Sequence, residues 1–304
     1  MTGDRRPNGW LVVDKPQGPT SSQVVQQIRR LFGARAGHAG TLDPLATGVL
    51  PIALGEATKT IAYAMTGRKR YRFRVRWGIA RATDDCEGEI VGESGLIPQQ
   101  AAIEAILPCF TGDIMQIPPA YSALKIAGRR SHALARAGHA PILAARPVAI
   151  FSLELAAIPA PEFADFEAIV GKGTYIRALA RDLAERLGTL GHIAALRRLS
   201  VGPFAEADAI PLESLSNAQH TAGDCGKLLP IGTALAGVPA VSLAGGEAER
   251  LRYGQRIALG DLRRSVPFER LDAGVVVSAW HDHALVALAM VEGDSLRPVR
   301  VINS

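Results

Sequence analysis

The chain has 304 residues, enough for about two domains at ~150 residues each. Hydrophobic residues make up 48% and charged residues 21%, a balance that excludes a disordered chain and leaves apolar surface for a substantial core. The 34 Lys and Arg against 29 Asp and Glu give a net charge of +5, a modest excess that favours an anionic partner.

From the N-terminus, Trp10 to Val13 reads as a short strand closed by Asp14-Lys15-Pro16. Ser21 or Ser22 is positioned to cap a helix with Val24, Val25, Ile28 and Leu31 on its apolar face, ending at Gly33. A loop rich in small residues spans Ala34 to Gly48, before a buried strand at Val49 to Leu54 and a helix at Glu56 to Met65. The clearest strand is Tyr71 to Trp77, where period 2 puts Tyr71, Phe73, Val75 and Trp77 on one face. Arg70, Arg72, Arg74 and Arg76 take the other. Helices follow at Pro98 to Leu107 and Arg129 to Ala137, and paired strands at Pro147 to Ala157 and Phe163 to Val170. Ile176 to Leu187 is helical, with Ile176, Leu179, Ala180, Leu183 and Leu187 facing inward.

From Val238 short β-like runs (Val275 to Ala279, Leu285 to Val291, Val299 to Ile302) indicate a small β-rich domain of roughly 65 residues. The division is therefore 1–237 and 238–304, with Pro230 to Gly237 as linker. Leu11 to Val13 is too short for a signal-peptide core. His281, Asp282 and His283 interrupt the longest apolar stretch, so nothing reaches the ~20 residues of a membrane span. Cys86, Cys109 and Cys225 read as reduced, buried thiols of a cytoplasmic protein. No CxxC pair offers a zinc site, and His281 with His283 lacks a third ligand in sequence. Gly171-Lys172-Gly173-Thr174 lacks the frame of a phosphate-binding loop.

Gly37-His38-Ala39-Gly40-Thr41-Leu42-Asp43-Pro44-Leu45-Ala46-Thr47-Gly48 stands out, with one carboxylate at the centre of a glycine-rich loop. Two readings are open: an ordinary Asp-Pro turn, or a loop whose glycines let a substrate approach the backbone around Asp43. Tyr71 heads the arginine-rich strand. Arg177 opens a helix with a like charge, Arg181, at i+4, which weakens a surface ion-pair explanation. Gly67 to Trp77 carries six basic residues and no acid, and Ser122 to Arg146 five and no acid. Either is an RNA-facing surface or a solvated sheet face or loop.

Taken together, HAGTLDPLATGVLPIALGEATK, Gly9-Trp10-Leu11, Asp14-Lys15-Pro16-Gln17-Gly18, Lys69-Arg70-Tyr71 and Thr83-Asp84-Asp85 resemble the TruB family of tRNA pseudouridine synthases. So do QIPPAYSALKIAGRR, KGTYIRALARDLAERLG, Leu196-Arg197-Arg198 and LLPIGTAL, so the resemblance runs through most of the chain. It implies isomerisation of uridine 55 in the T-loop of tRNA, through a flipped base. It implies a mixed α/β pseudouridine-synthase core around a largely antiparallel sheet, followed by a PUA-like RNA-binding β-domain. By resemblance Asp43 is the nucleophile, Tyr71 stacks on the base and helps deprotonate it, and Arg177 pairs with the aspartate. His38, Tyr175 and Leu196 match RNA-binding positions, and Lys15 a structural one. His132 departs from the family, which has Tyr there.

The reaction breaks the N1–C1′ bond and rejoins the base through C5 without redox change, so neither metal nor cofactor is expected. A carboxylate with a reference pKa of ~3.9 needs no base to act as nucleophile at pH 7. The expected partner is tRNA, through its T-arm stem-loop, and the expected state is a monomer without an obligate protein partner. Two rivals stand against this reading. One is a non-catalytic RNA-binding protein, set against the joint presence of Asp43, Tyr71 and Arg177. The other is a glycoside hydrolase, set against the missing second carboxylate.

Overall fold

Ten strands join into one sheet in the computed structural model, which describes residues 7–126, 128–139, 141–217, 228–260, 263–264 and 272–303. They are β1 (Gly9–Lys15), β2 (Ala36–His38), β3 (Thr47–Leu54), β4 (Lys69–Trp77) and β5 (Gly112–Gln116). Then come β6 (Arg146–Ala160), β7 (Phe163–Val170), β8 (Gly191–Val201), β9 (Phe204–Ala205) and β10 (Ile210–Pro211). The order across the sheet is β10-β1-β3-β8-β4-β7-β6-β5, with β2 added to β3 and β9 to β8. Only β10 on β1 and β8 on β3 run parallel. This is the mixed α/β, largely antiparallel arrangement expected from the sequence.

The alternation in β4 holds: Phe73, Val75 and Trp77 are buried, and Phe73 and Trp77 pack on Phe166 of β7 with ring centroids 5.3 and 6.2 Å apart. Helix α1 (Ser21–Phe32) and helix α2 (Ile176–Arg186) cover this face of the sheet. Leu179 and Leu183 of α2 are fully buried, and each such side chain contributes about 1.5–3 kcal/mol relative to exposure. The α1 stripe is Val24, Ile28 and Phe32, while Leu31 points outward.

Several expectations need correction. Thr20, not Ser21 or Ser22, caps α1, in a capping box with Gln23; Ser21 is buried because its hydroxyl is committed to Leu42. The Ala34 to Gly48 segment contains β2, because Ala36 to His38 find partners on β3. The 56–65 helix is a 3₁₀ turn (Gly55–Thr60) followed by one α turn (Ile61–Ala64). Arg129 and Arg130 pair in a small hairpin, and only Ser131–Arg136 is helical. Strand β8, unread in the sequence, lies next to β4 at the middle of the sheet. Cys86 and Cys109 are exposed rather than buried, since Asp85 and Leu107 take the inward positions of their turns. Cys225 lies outside the described residues.

Three of the four arginines on the outer face of β4 are paired. Arg70 and Arg72 both reach Glu167 at 2.5 Å, and Arg74 reaches Asp165 at 2.6 Å, both acids coming from β7. The acids missing from the 67–77 segment are supplied across the ladder, where cross-strand neighbours meet.

A second sheet of six strands follows, in the order Ile257–Ala258, Ser295–Val301, Ala284–Glu292, Val276–His281, Ala240–Ser242 and Arg263–Arg264. It is consistent with the PUA-like unit. The 230–237 segment is packed rather than a bare tether. Ala234 joins the cluster of Trp10 and Phe204, while Leu235 packs with Leu285, Leu288 and Ile302. Lys59 also donates to the Val301 carbonyl at 2.7 Å, tying the second sheet to the 55–60 turn.

Candidate active site

The loop between β2 and β3 is held on both sides of Asp43. The Leu42 N–H donates to the Ser21 hydroxyl at 2.8 Å, and that hydroxyl donates to the Leu42 carbonyl at 2.9 Å. On the other side, the Pro44 carbonyl accepts from the Gly18 N–H at 2.8 Å and from the Lys15 ammonium at 3.2 Å. Leu42 and Leu45 are buried, so the chain around Asp43 is pinned while its own side chain stays 35% exposed. Gly48 closes the loop at φ 100°, and a Cβ there would stand 2.3 Å from the Arg198 carbonyl oxygen. Only glycine permits that approach.

Lys15 is fully buried and gives its other protons to the Pro16 and Pro19 carbonyls at 2.8 and 2.9 Å. Burial pushes its ammonium down to about 8, against the opposing pull of the Asp43 carboxylate. Every polar contact of this lysine goes to loop backbone, in keeping with a structural role.

Arg177, near the start of α2, brings its Nε to 2.9 Å from the Asp43 carboxylate. Its other nitrogens are occupied as well. Nη1 donates to the Thr83 carbonyl and Nη2 to the Tyr121 carbonyl, each at 2.9 Å, and Nη1 lies 3.5 Å from Asp85. The guanidinium is 6% exposed and the Asp85 side chain 3%, so one buried cation is shared by two carboxylates. Asp85 is fixed in turn by the Thr83 hydroxyl and the Glu87 N–H.

Asp43, Arg177, Tyr71, Tyr175 and Leu196 all line one pocket of about 430 Å³, within the ~300–1,000 Å³ range of ligand sites. Lys69, Ser122, Thr174 and Arg198 share its wall. Tyr71 reaches it from the middle of the sheet, between Ala168 and Arg198 in register. The Tyr175 backbone is clamped by the Gln116 amide at 2.8 and 3.1 Å, and burial pushes its phenol above the ordinary value. His38 is not on this wall. It sits on β2 opposite Ile52, with burial first and the Arg198 charge second holding its imidazole below the usual value. His132 donates through Nδ1 to the Ser122 carbonyl, 3.1 Å away. No trio of His, Cys, Asp or Glu able to hold a metal occurs among the described residues.

Two neighbours of the site carried no role in the sequence reading. Asp85 is one; only its place in the Thr83-Asp84-Asp85 turn hinted at it. Arg198 is the other, in a strand whose alternation is broken by shifts in register. Beside them Asp84, at φ 58°, pairs with Arg181 at 3.1 Å. Burial raises its carboxyl from 3.8 to about 6, with Arg181 and then Arg177 opposing. The folded chain therefore keeps a proton that the unfolded chain has released. This contribution to stability is complete below about pH 4 and is lost as pH rises through about 6. Asp84→Asn tolerates the same backbone and removes the dependence. In denaturant melts, the stability of the variant relative to wild type should rise between about pH 4 and pH 7; a flat difference would contradict this assignment.

Residues 29–176 match the model of the TruB family pseudouridylate synthase N-terminal domain, and residues 177–235 that of the tRNA pseudouridylate synthase B C-terminal domain. The chain is 49% identical over 297 residues to the tRNA pseudouridine synthase B of Gluconacetobacter diazotrophicus, covering 97% of each protein. It belongs to the TruB family. The tRNA pseudouridine synthase B of Rhodospirillum rubrum is 50% identical over 297 residues, covering 97% of this chain and 96% of that protein. TruB membership makes the chain an isomerase, a pseudouridine synthase. Among solved structures, a chain from a Cbf5-Nop10-Gar1 complex superposes with a TM-score of 0.75 at 25% identity, covering 98% of this chain and 85% of that one. The TruB chain thus shares its fold with a protein that has diverged far in sequence.

Proposed function

We propose that the chain converts uridine 55 in the T-loop of tRNA to pseudouridine. It acts as a monomer without protein partner, metal or cofactor, on a base flipped out of its stack. The observation that carries this reading is the Asp43–Arg177 pair, 2.9 Å apart, on the wall of a pocket that also holds Tyr71. The RNA class is supported by the relatives named tRNA pseudouridine synthase B, which match the chain nearly end to end.

Among the described residues Asp43 is the one carboxylate on that wall, and its oxygen bonds to C1′ as the N1–C1′ bond breaks. Arg177, with its donors committed to Asp43, Asp85 and two carbonyls, holds the carboxylate in line rather than gripping the RNA. Such fixed orientation lowers the entropic part of a barrier. The freed base turns within the pocket and C5 bonds to C1′ as the bond from C1′ to the Asp43 carboxylate breaks; the C5 proton leaves and N1 gains one. Tyr71 supplies an aromatic face for the base and a hydroxyl for the C5 proton. Tyr175 and Leu196 complete the wall, and His38 supports the loop from β2. The PUA-like sheet contacts RNA outside the T-arm hairpin.

The direct test is a T-arm stem-loop incubated with purified protein in chelator, followed by chemical mapping of pseudouridine. One modified position, equivalent to 55, is expected; modification elsewhere, or none while the RNA binds, overturns the reading. Tyr71→Phe keeps the ring and loses the hydroxyl. It should bind the stem-loop like wild type and turn over at least about tenfold more slowly, general acid–base steps being worth ~10²–10⁴-fold. A near wild-type single-turnover rate leaves Tyr71 with stacking alone.

A further inference from the structure

Arg198 is one of the largest fully buried side chains, 1% exposed, and it borders the same pocket as Asp43. Among the described residues no carboxylate lies within 4.0 Å of its guanidinium. Its donors go instead to backbone carbonyls at both ends of the Asp43 loop. Nη2 donates to Gly40 at 3.0 Å and Nη1 to Thr41 at 3.3 Å, before Asp43; Nε donates to Val49 at 2.8 Å, after it. An unpaired buried cation is costly, and a neutral side chain of similar size would fill the space at lower cost. The arrangement calls for a reason.

Register supplies one. On β8, Arg198 stands opposite Gly48 of β3 on one side and opposite Tyr71 of β4 on the other. One residue thus joins, through its backbone, the strand that leaves the Asp43 loop to the strand that carries Tyr71. Its side chain reaches back to the strand-proximal start of that loop. The close Gly48–Arg198 backbone contact admits no slack between β3 and β8. The separation of Asp43 and Tyr71 across the pocket therefore depends on this side chain as well as on the sheet.

We propose that Arg198 is a positioning residue for the isomerisation: its guanidinium staples both ends of the 40–49 loop and so sets Asp43 against Tyr71. The inference rests on the reading of Asp43 and Tyr71 given under Proposed function. Its effect belongs to the chemical step rather than to RNA affinity, because all three observed donors are spent on protein carbonyls.

The test compares Arg198→Met and Arg198→Lys with wild type on a T-arm stem-loop, measuring dissociation constant, single-turnover rate and amide exchange. Arg198→Met should lose about 100-fold in rate, the scale of an ångström-sized misplacement, with affinity within about threefold of wild type. Amide exchange should speed up across residues 40–49 and stay unchanged in α2. Arg198→Lys, which keeps the charge but not all three bonds, should recover about tenfold and stay about tenfold below wild type, with exchange at 40–49 still raised. Equal losses of rate and affinity, exchange raised throughout the chain, or a rate within about threefold of wild type would overturn the proposal. Should Arg198→Met fail to fold, Arg198→Lys alone decides: a wild-type rate with unchanged exchange at 40–49 overturns it. An inactive wild type would instead refute the proposed reaction, and exchange at 40–49 would still report on the staple.

Discussion

Asp43→Asn should reduce single-turnover formation of pseudouridine below about a hundredth of wild type, while T-arm RNA binds with nearly unchanged affinity. The substitution keeps size and shape but removes the charge of the one carboxylate lining the pocket among the described residues. Loss of a covalent catalyst costs several kcal/mol of barrier, and each ~1.4 kcal/mol is tenfold in rate. The loop should stay in place, because Ser21, Lys15 and Gly18 hold it through the backbone on either side of Asp43. Rapid-quench assays with filter binding on the same RNA separate the two quantities. Turnover above about a hundredth would remove Asp43 from the role of nucleophile.

Arg177→Met should be damaging twice over. It takes the cation from Asp43 and also leaves Asp85, 3% exposed, facing an apolar side chain. Removing one partner of a buried pair costs about 3–5 kcal/mol. Asp85 keeps its bonds from the Thr83 hydroxyl and the Glu87 N–H, so the lower end, about 3 kcal/mol, is expected in denaturant melts. The rate should fall at least about 100-fold through loss of orientation. The double variant Arg177→Met/Asp85→Asn separates these effects, since a neutral residue at 85 no longer needs the cation. Stability should largely return while activity stays low. Recovery of both would mean that Arg177 serves the fold alone, and a stability unchanged in Arg177→Met would mean that Asp85 does not depend on it.

Local order was legible wherever a single segment carries its own period or chemistry. The alternation of Phe73, Val75 and Trp77 settled β4, and the apolar spacing of Leu179 and Leu183 settled α2, because burial of one face requires that pattern. The Asp43 loop was visible as a carboxylate among glycines, and the resemblance named its companions. The partners of those residues were not legible. Arg177 is shared by Asp43 and Asp85, and Arg70, Arg72 and Arg74 of β4 pair with Glu167 and Asp165; each contact joins segments far apart in the chain. Charge counted along one segment says nothing of charge supplied across a ladder, so a run without acids of its own is partly paired by acids from its neighbour. Strand β8 escaped for a similar reason: its alternation is broken by shifts in register against β4 at Ile193/Ala195 and Arg198/Ser200, which the segment alone does not announce. Period by itself determined single helices and strands, the residues of the Asp43 loop marked it out, and the resemblance supplied the class of fold. Tertiary packing decided which charges meet, because electrostatic pairing depends on distance in space and carries no period in the chain.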